Sequence, residues 1–169
     1  MDFNRLSLIV KKFFFDSKVL NIEEISSGHI NKTYLVEHLY CKKRSKFILQ
    51  SLSNIFHSPE LVNINHRLVT DHMNQKLHNN YFNEYIKRWE VPDLIKCKSN
   101  NLFIFSYDYG SWRAMKYIAN SFSLSYLEDK EMAYEVGHGL AKFHFICSDL
   151  DASKIKNSIK NFHNTNYYI

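Results

Sequence analysis

The sequence predicts an α+β fold, an antiparallel sheet with a helix packed on it. Three observations carry that prediction. Short segments of strand character follow one another at hairpin spacing. One helix-patterned segment separates a first set of three strands from a second set of three. Hydrophobic residues make up 45% and charged residues 23%, which is ordinary globular composition and argues against general disorder. Strands in hairpin succession rather than in βαβ alternation point to antiparallel pairing.

The elements are justified in order. Residues 4 to 15 read as a helix, because Leu6, Ile9, Val10, Phe13 and Phe14 recur on one stripe and Asp16-Ser17 ends it. Val19 to Ile25, Thr33 to Leu39 and Lys46 to Leu52 read as strands, the last two rich in β-branched and aromatic residues. Between the first two lies Ser26-Ser27-Gly28-His29-Ile30-Asn31-Lys32. Gly28 is the only glycine in the first hundred residues. An isolated glycine between strands marks positive φ or a close backbone approach. The basic cluster Cys41-Lys42-Lys43-Arg44-Ser45-Lys46 reads as a solvated hairpin turn.

Ser58 suits a helix N-cap and Pro59 its first turn. Leu61, Ile64, Leu68, Val69, Met73 and Leu77 then keep a helical period to about residue 79. Glu90 to Lys96, Leu102 to Tyr107 and Trp112 to Ala119 are short strand candidates, with a turn at Asp108-Tyr109-Gly110-Ser111. Asn120 to Ser125 is a polar connector. Leu127 to Ser148 reads as a long helix, with Met132, Val136, Leu140, Phe143 and Cys147 along one side. Beside them Ala133, Gly137 and Ala141 form a small-residue stripe that lets another helix approach. The stretch from Asp151 to Ile169 is polar and weakly patterned.

The net charge is +5, which admits nucleic acid, a membrane surface or an anionic small molecule as partner. The basic residues are scattered and form no recognised nucleic-acid motif. A basic nucleic-acid-binding domain is therefore an alternative, and no nucleic acid is expected as partner. Cys41, Cys97 and Cys147 are odd in number and lack CxxC spacing, which fits a reducing compartment. No signal peptide and no membrane span are expected, and the expected location is cytoplasmic.

Several stretches narrow the reading. Gly28-His29-Ile30-Asn31-Lys32-Thr33-Tyr34, then Phe47-Ile48-Leu49-Gln50 with Asn54-Ile55-Phe56, then Pro59-Glu60 with Asn63 and Val69-Thr70-Asp71-His72, occur in that order. Trp112-Arg113-Ala114-Met115-Lys116-Tyr117-Ile118 and Phe162-His163-Asn164-Thr165 follow. Together they resemble the amino-terminal part of N-acetylhexosamine 1-kinases, in the aminoglycoside phosphotransferase and choline kinase branch of the protein-kinase-like fold. The resemblance spans roughly residues 19 to 167.

That resemblance implies a kinase-like N-terminal lobe over residues 1–119, a hinge connector over 120–126, and the start of a helical C-terminal lobe over 127–169. It implies ATP and Mg²⁺ as cofactors of the complete family, with weak or no binding by these residues alone. It places Ser27, Gly28, His29, Asn31 and Thr33 at a phosphate-covering turn, Gln50 on the third strand, and Tyr117 and Ile118 at the adenine hinge. Protein kinases carry a Lys where Gln50 stands. A neutral amide cannot balance phosphate charge, so Lys32 and Arg113 are candidate helpers. Ser51 stands where the family has a basic residue, a departure that weakens phosphate anchoring.

The family's catalytic loop, H-G-D-x-K-x-x-N, has no counterpart in residues 120–169; His138-Gly139 is followed by Leu140, and His144-Phe145 by Ile146. Asp149-Leu150-Asp151 imitates a D-x-D metal pair but lies before the place of that loop, and reads as a solvated helix end. No catalytic residue and no metal ligand is therefore assigned. The expectation is a truncated or split sugar phosphotransferase, inactive alone, its sugar bound only if a C-terminal half is supplied. An alternative is a non-catalytic nucleotide-binding or docking module, completed by a separate chain or self-associating through the 127–148 helix.

Overall fold

A computed structural model describes residues 2–26, 28–78, 89–107, 110–162 and 164–169. Helix α1 (Phe3–Phe13) is capped by the Asp2 carboxylate, which accepts from the Asn4 amide. Its stripe of Leu6, Ile9, Val10 and Phe13 is buried. The helix stops short of the expected residue 15. Phe14 leaves the helical path and sets its ring against His38 and Phe47, with centroids 4.5 and 4.8 Å away. Aromatic packing on the sheet outweighs another turn of helix there.

Strands β1 (Lys18–Ile25), β2 (Lys32–Tyr40) and β3 (Lys43–Leu52) form an antiparallel meander. The β2–β3 turn is tighter than the basic cluster predicts. Only Cys41 and Lys42 make it, with φ of 50° and 63°, the mirror-image two-residue turn that matches strand twist. Lys43 to Lys46 already belong to β3, where Arg44 pairs with Glu37 across the ladder. Gly28 shows no positive φ, and a Cβ there would meet only the Asn31 carbonyl at an ordinary 3.5 Å. The expected backbone need for glycine at this turn is not found.

Helix α2 (Pro59–His78) begins as predicted, with Ser58 Oγ accepting from the Leu61 amide at 3.3 Å. The next two strand candidates shrink to β4 (Leu94–Ile95) and β5 (Phe105–Tyr107). Pro92 offers no amide to a ladder. Asn101, at φ 58°, turns the chain back so that the Leu102 carbonyl meets the Cys97 amide. Strand β6 (Gly110–Lys116) takes in Gly110 and Ser111, two residues of the expected turn, and ends at Lys116 rather than Ala119. Asp108 and Tyr109 lie outside the described residues.

The sheet is six-stranded, ordered β1-β2-β3-β6-β4 with β5 also pairing β6, and every pairing is antiparallel. The α+β expectation holds at this level. Alternate residues of each central strand point to α1: Tyr34 and Val36, Phe47 and Leu49, Trp112 and Ala114 make one core with the helix stripe and Cys97.

Helix α3 (Lys130–Ile146) starts where Asp129 caps the Met132 amide at 2.7 Å, so Leu127 and Glu128 fall outside it. It ends at the Cys147 cap, short of the expected Ser148. Among its residues only Ile146 is buried, in a second cluster with Met73 and Val91. The predicted apolar stripe does not hold α3 to the rest of the described chain: Val136, Leu140 and Phe143 are exposed. The small-residue stripe meets no helix among the described residues either, since a Cβ on Gly137 would touch nothing there within 4 Å. The polar tail carries a 3₁₀ turn (Ala152–Lys154) and a single-turn helix α4 (Thr165–Tyr168), neither of which its weak pattern announces. No helix among the described residues is long and apolar enough to cross a membrane.

Candidate functional site

The sheet face turned away from α1 is only half covered, and the register arranges it in two rows. Thr33, Gln50 and Arg113 stand opposite one another on β2, β3 and β6. One step along, Leu35, Ile48, Met115 and Leu94 line up across β2, β3, β6 and β4. A polar row thus lies beside an apolar row. Thr33, Leu35, Ile48 and Gln50 are half-buried while Arg113 and Met115 are buried, so this face keeps access to solvent over β2 and β3 and is covered at β6.

The polar row is wired. Gln50 Nε2 donates to Thr33 Oγ1 at 2.9 Å. Arg113 Nε donates to Gln50 Oε1 at 2.9 Å, and its Nη1 to Asn63 Oδ1 on α2 at 3.2 Å. Asn63 Nδ2 in turn donates to the Phe103 carbonyl at 3.1 Å. Each amide is held in one orientation because its oxygen faces the guanidinium. Burial pulls the Arg113 pKa down to about 10, which still leaves the side chain cationic at neutral pH.

The predicted site residues divide. Thr33 and Gln50 are brought into direct contact. Asn31 accepts from the Ser53 amide at 2.9 Å, which pins the β1–β2 turn to the end of β3. Gly28 and His29 are exposed in that turn, and no hydrogen bond links either side of it to the polar row among the described residues. Ser27, and His163 of the later motif, lie outside the described residues. Tyr117 and Ile118 follow β6 half-buried, roughly 13 Å along the strand from Arg113. The Ile118 carbonyl accepts from Ser121 Oγ at 2.7 Å. Lys32, one of the two candidate helpers, is exposed and shares the strand parity of Tyr34, so it starts on the α1 side.

Asn63 was not singled out as a site residue in the sequence, and Arg113 only as a helper. The signal for Arg113 was present: a lone cation inside Trp112-Arg113-Ala114-Met115, a strand otherwise buried on both faces. Nothing in the local sequence identifies its partners, which lie 63 and 50 residues away.

This row offers neutral oxygens and a guanidinium, with no carboxylate in it. Mg²⁺ wants hard, preferably anionic oxygen ligands, so the row does not fit that ion and suits an anion instead. Asp149 and Asp151 are engaged elsewhere. Asp149 pairs with Lys76 and, at 3.1 Å, with His72 on α2. Asp151 caps the 3₁₀ turn through the Ser153 amide and hydroxyl. Among the described residues no group of three or more His, Cys, Asp or Glu is arranged to hold a metal. A scan of the sequence against protein-family models finds no match.

Proposed function

We propose that the chain binds an adenine nucleotide on the open face of its sheet, as the N-terminal lobe of a small-molecule phosphotransferase resembling the N-acetylhexosamine 1-kinases. The observation that carries this is the pairing of the two rows. Leu35 and Ile48 leave half-buried apolar surface for a base, with the buried Met115 beside them, and the row next to them offers a hydroxyl, an amide and a guanidinium to an anion. The base would lie toward Tyr117 and Ile118, the phosphates toward Thr33 and the pinned turn at Asn31. Phosphoryl transfer needs in addition a residue that orients the acceptor hydroxyl and ligands for Mg²⁺. The reading assigns both, and the sugar site, to a part of the enzyme other than residues 1–169.

Calorimetric titration with adenosine and with ATP tests the reading. Both are expected to bind weakly, and Ile48→Asp is expected to weaken both roughly tenfold or more, by setting a carboxylate under the base. Failure of both ligands to bind removes the reading. With Mg²⁺, ATP and N-acetylglucosamine, no sugar phosphate is expected; clear turnover would show that the chemistry resides in these residues after all.

A second reading is favoured by α3, whose Tyr134, Val136 and Leu140 are 68%, 51% and 55% exposed. On that reading the chain is a docking module, and a separate polypeptide bearing the catalytic loop seats against this helix.

A further inference from the structure

A guanidinium taken out of water ordinarily faces a carboxylate, because an uncompensated buried charge is costly. Arg113 departs from that rule. It is 8% exposed, and the two groups it bonds, Gln50 Oε1 and Asn63 Oδ1, are neutral. Among the described residues no carboxylate stands within ion-pair distance of it, and its second terminal nitrogen, Nη2, bonds none of them. Gln50 and Asn63 fix the plane of the guanidinium from two sides and leave its charge unbalanced. It lies at the end of a polar row on the half-open face rather than in the α1 core.

We propose that Arg113 is the anion-binding charge of this site: Nη2 takes a phosphate oxygen of the bound nucleotide, while Gln50 and Asn63 hold the guanidinium in place. The inference rests on the nucleotide reading above and adds the source of its positive charge. Gln50 on β3 is neutral, and the charge comes from Arg113 on the neighbouring strand β6. The same arrangement gives Gln50 a role, since its amide bridges the Thr33 hydroxyl to the arginine. Arginine suits the position because its fork can bond two neutral oxygens and still present a donor to a phosphate.

The full chain, Arg113→Met and Asn63→Asp are each titrated with adenosine, ATP and sodium tripolyphosphate. Asn63→Asp neutralises the guanidinium in place by giving it a carboxylate, so it keeps the test open if Arg113→Met fails to fold. The expected result is that both variants lose roughly tenfold or more of the affinity for ATP and tripolyphosphate, with adenosine binding unchanged. Anion binding that survives both substitutions overturns the assignment, and adenosine binding alongside it leaves the nucleotide reading standing. Tripolyphosphate binding that depends on Arg113, without adenosine binding by any form, keeps the anion site and removes the nucleotide. Binding of none of the three probes ends both.

Discussion

At the scale of single residues, the molecule separates its titrating groups by environment. His38 lies on the α1 face, 2% exposed, among the rings of Phe14, Tyr40 and Phe47. Its Nε2 is 2.9 Å from Ser45 Oγ, and its buried Nδ1 has no partner among the described residues. Burial lowers its pKa, because surroundings poor in water disfavour the charged imidazolium. The unfolded chain, titrating at about 6.5, binds that proton first. Stability is full above that value and falls as pH drops through it toward the folded value. His66, lowered chiefly by burial, adds the same sign. Glu37 and Asp149, held below the usual carboxylate range by hydrogen bonds to Arg44 and Lys76, keep their charge in this window. The urea midpoint is expected to be lower at about pH 5.5 than at about pH 7.5, and His38→Leu is expected to shrink the difference. An undiminished difference in that variant would move the effect to other groups. His38 and Arg113 are both ionisable residues set in strands with apolar neighbours. Only cross-strand register tells the core histidine from the arginine of the open face.

At the scale of elements, local pattern was enough for what α1 and the β2–β3 hairpin do. Their apolar periodicity is strong, and β2 and β3 are joined by a two-residue turn, although α1 also packs on Cys97, Trp112 and Ala114 far along the chain. It was not enough for β4 and β5, because Pro92 and Asn101 cut the pairing of segments that otherwise have strand composition. It also missed how the stretch after α3 is held, since that contact joins residues 91 positions apart. Asn65 on α2 donates its amide to the Lys156 carbonyl at 2.6 Å and accepts from the Lys156 amide at 2.9 Å, as a strand neighbour would. The His57 amide bonds the Ser158 carbonyl at 3.1 Å. At the other end, the His72 ring nitrogen meets the Ile146 carbonyl at 3.1 Å, and Lys76 pairs with Asp149. The stretch from Ile146 to Ser158 therefore runs back along α2 from its later turns to its start. Asn65→Ala is expected to cost about 1 kcal/mol, and to speed hydrogen exchange at the Lys156 amide while leaving the β2–β3 ladder protected. Equal exchange at Lys156 in both proteins would mean that Asn65 does not hold the segment.

At the scale of the whole molecule, the described chain covers its apolar surface unevenly. One sheet face is sealed by α1, the other is half open, and α3 touches the rest mainly at its last turn. The sequence made the apolar side of α3 legible but not what lies against it, because periodicity records that a face is apolar and not which element covers it. Val136 and Leu140 sit one turn apart and exposed, with Phe143 continuing the same side. A contiguous apolar face of this kind favours association over solvation. The isolated chain is therefore expected to self-associate as its concentration rises, read as a mass increase in light scattering coupled to size-exclusion chromatography. Val136→Glu with Leu140→Glu is expected to leave it monomeric. Neither residue reaches the α1 core or the Met73–Val91–Ile146 cluster, so the double variant should melt close to the parent measured at low concentration. A parent chain that is monomeric throughout would show that this face does not drive association. Association that persists in the double variant would move the contact off α3, and the exposed edge of β1 is then the next surface to test, since an unpaired strand edge is itself a template for pairing.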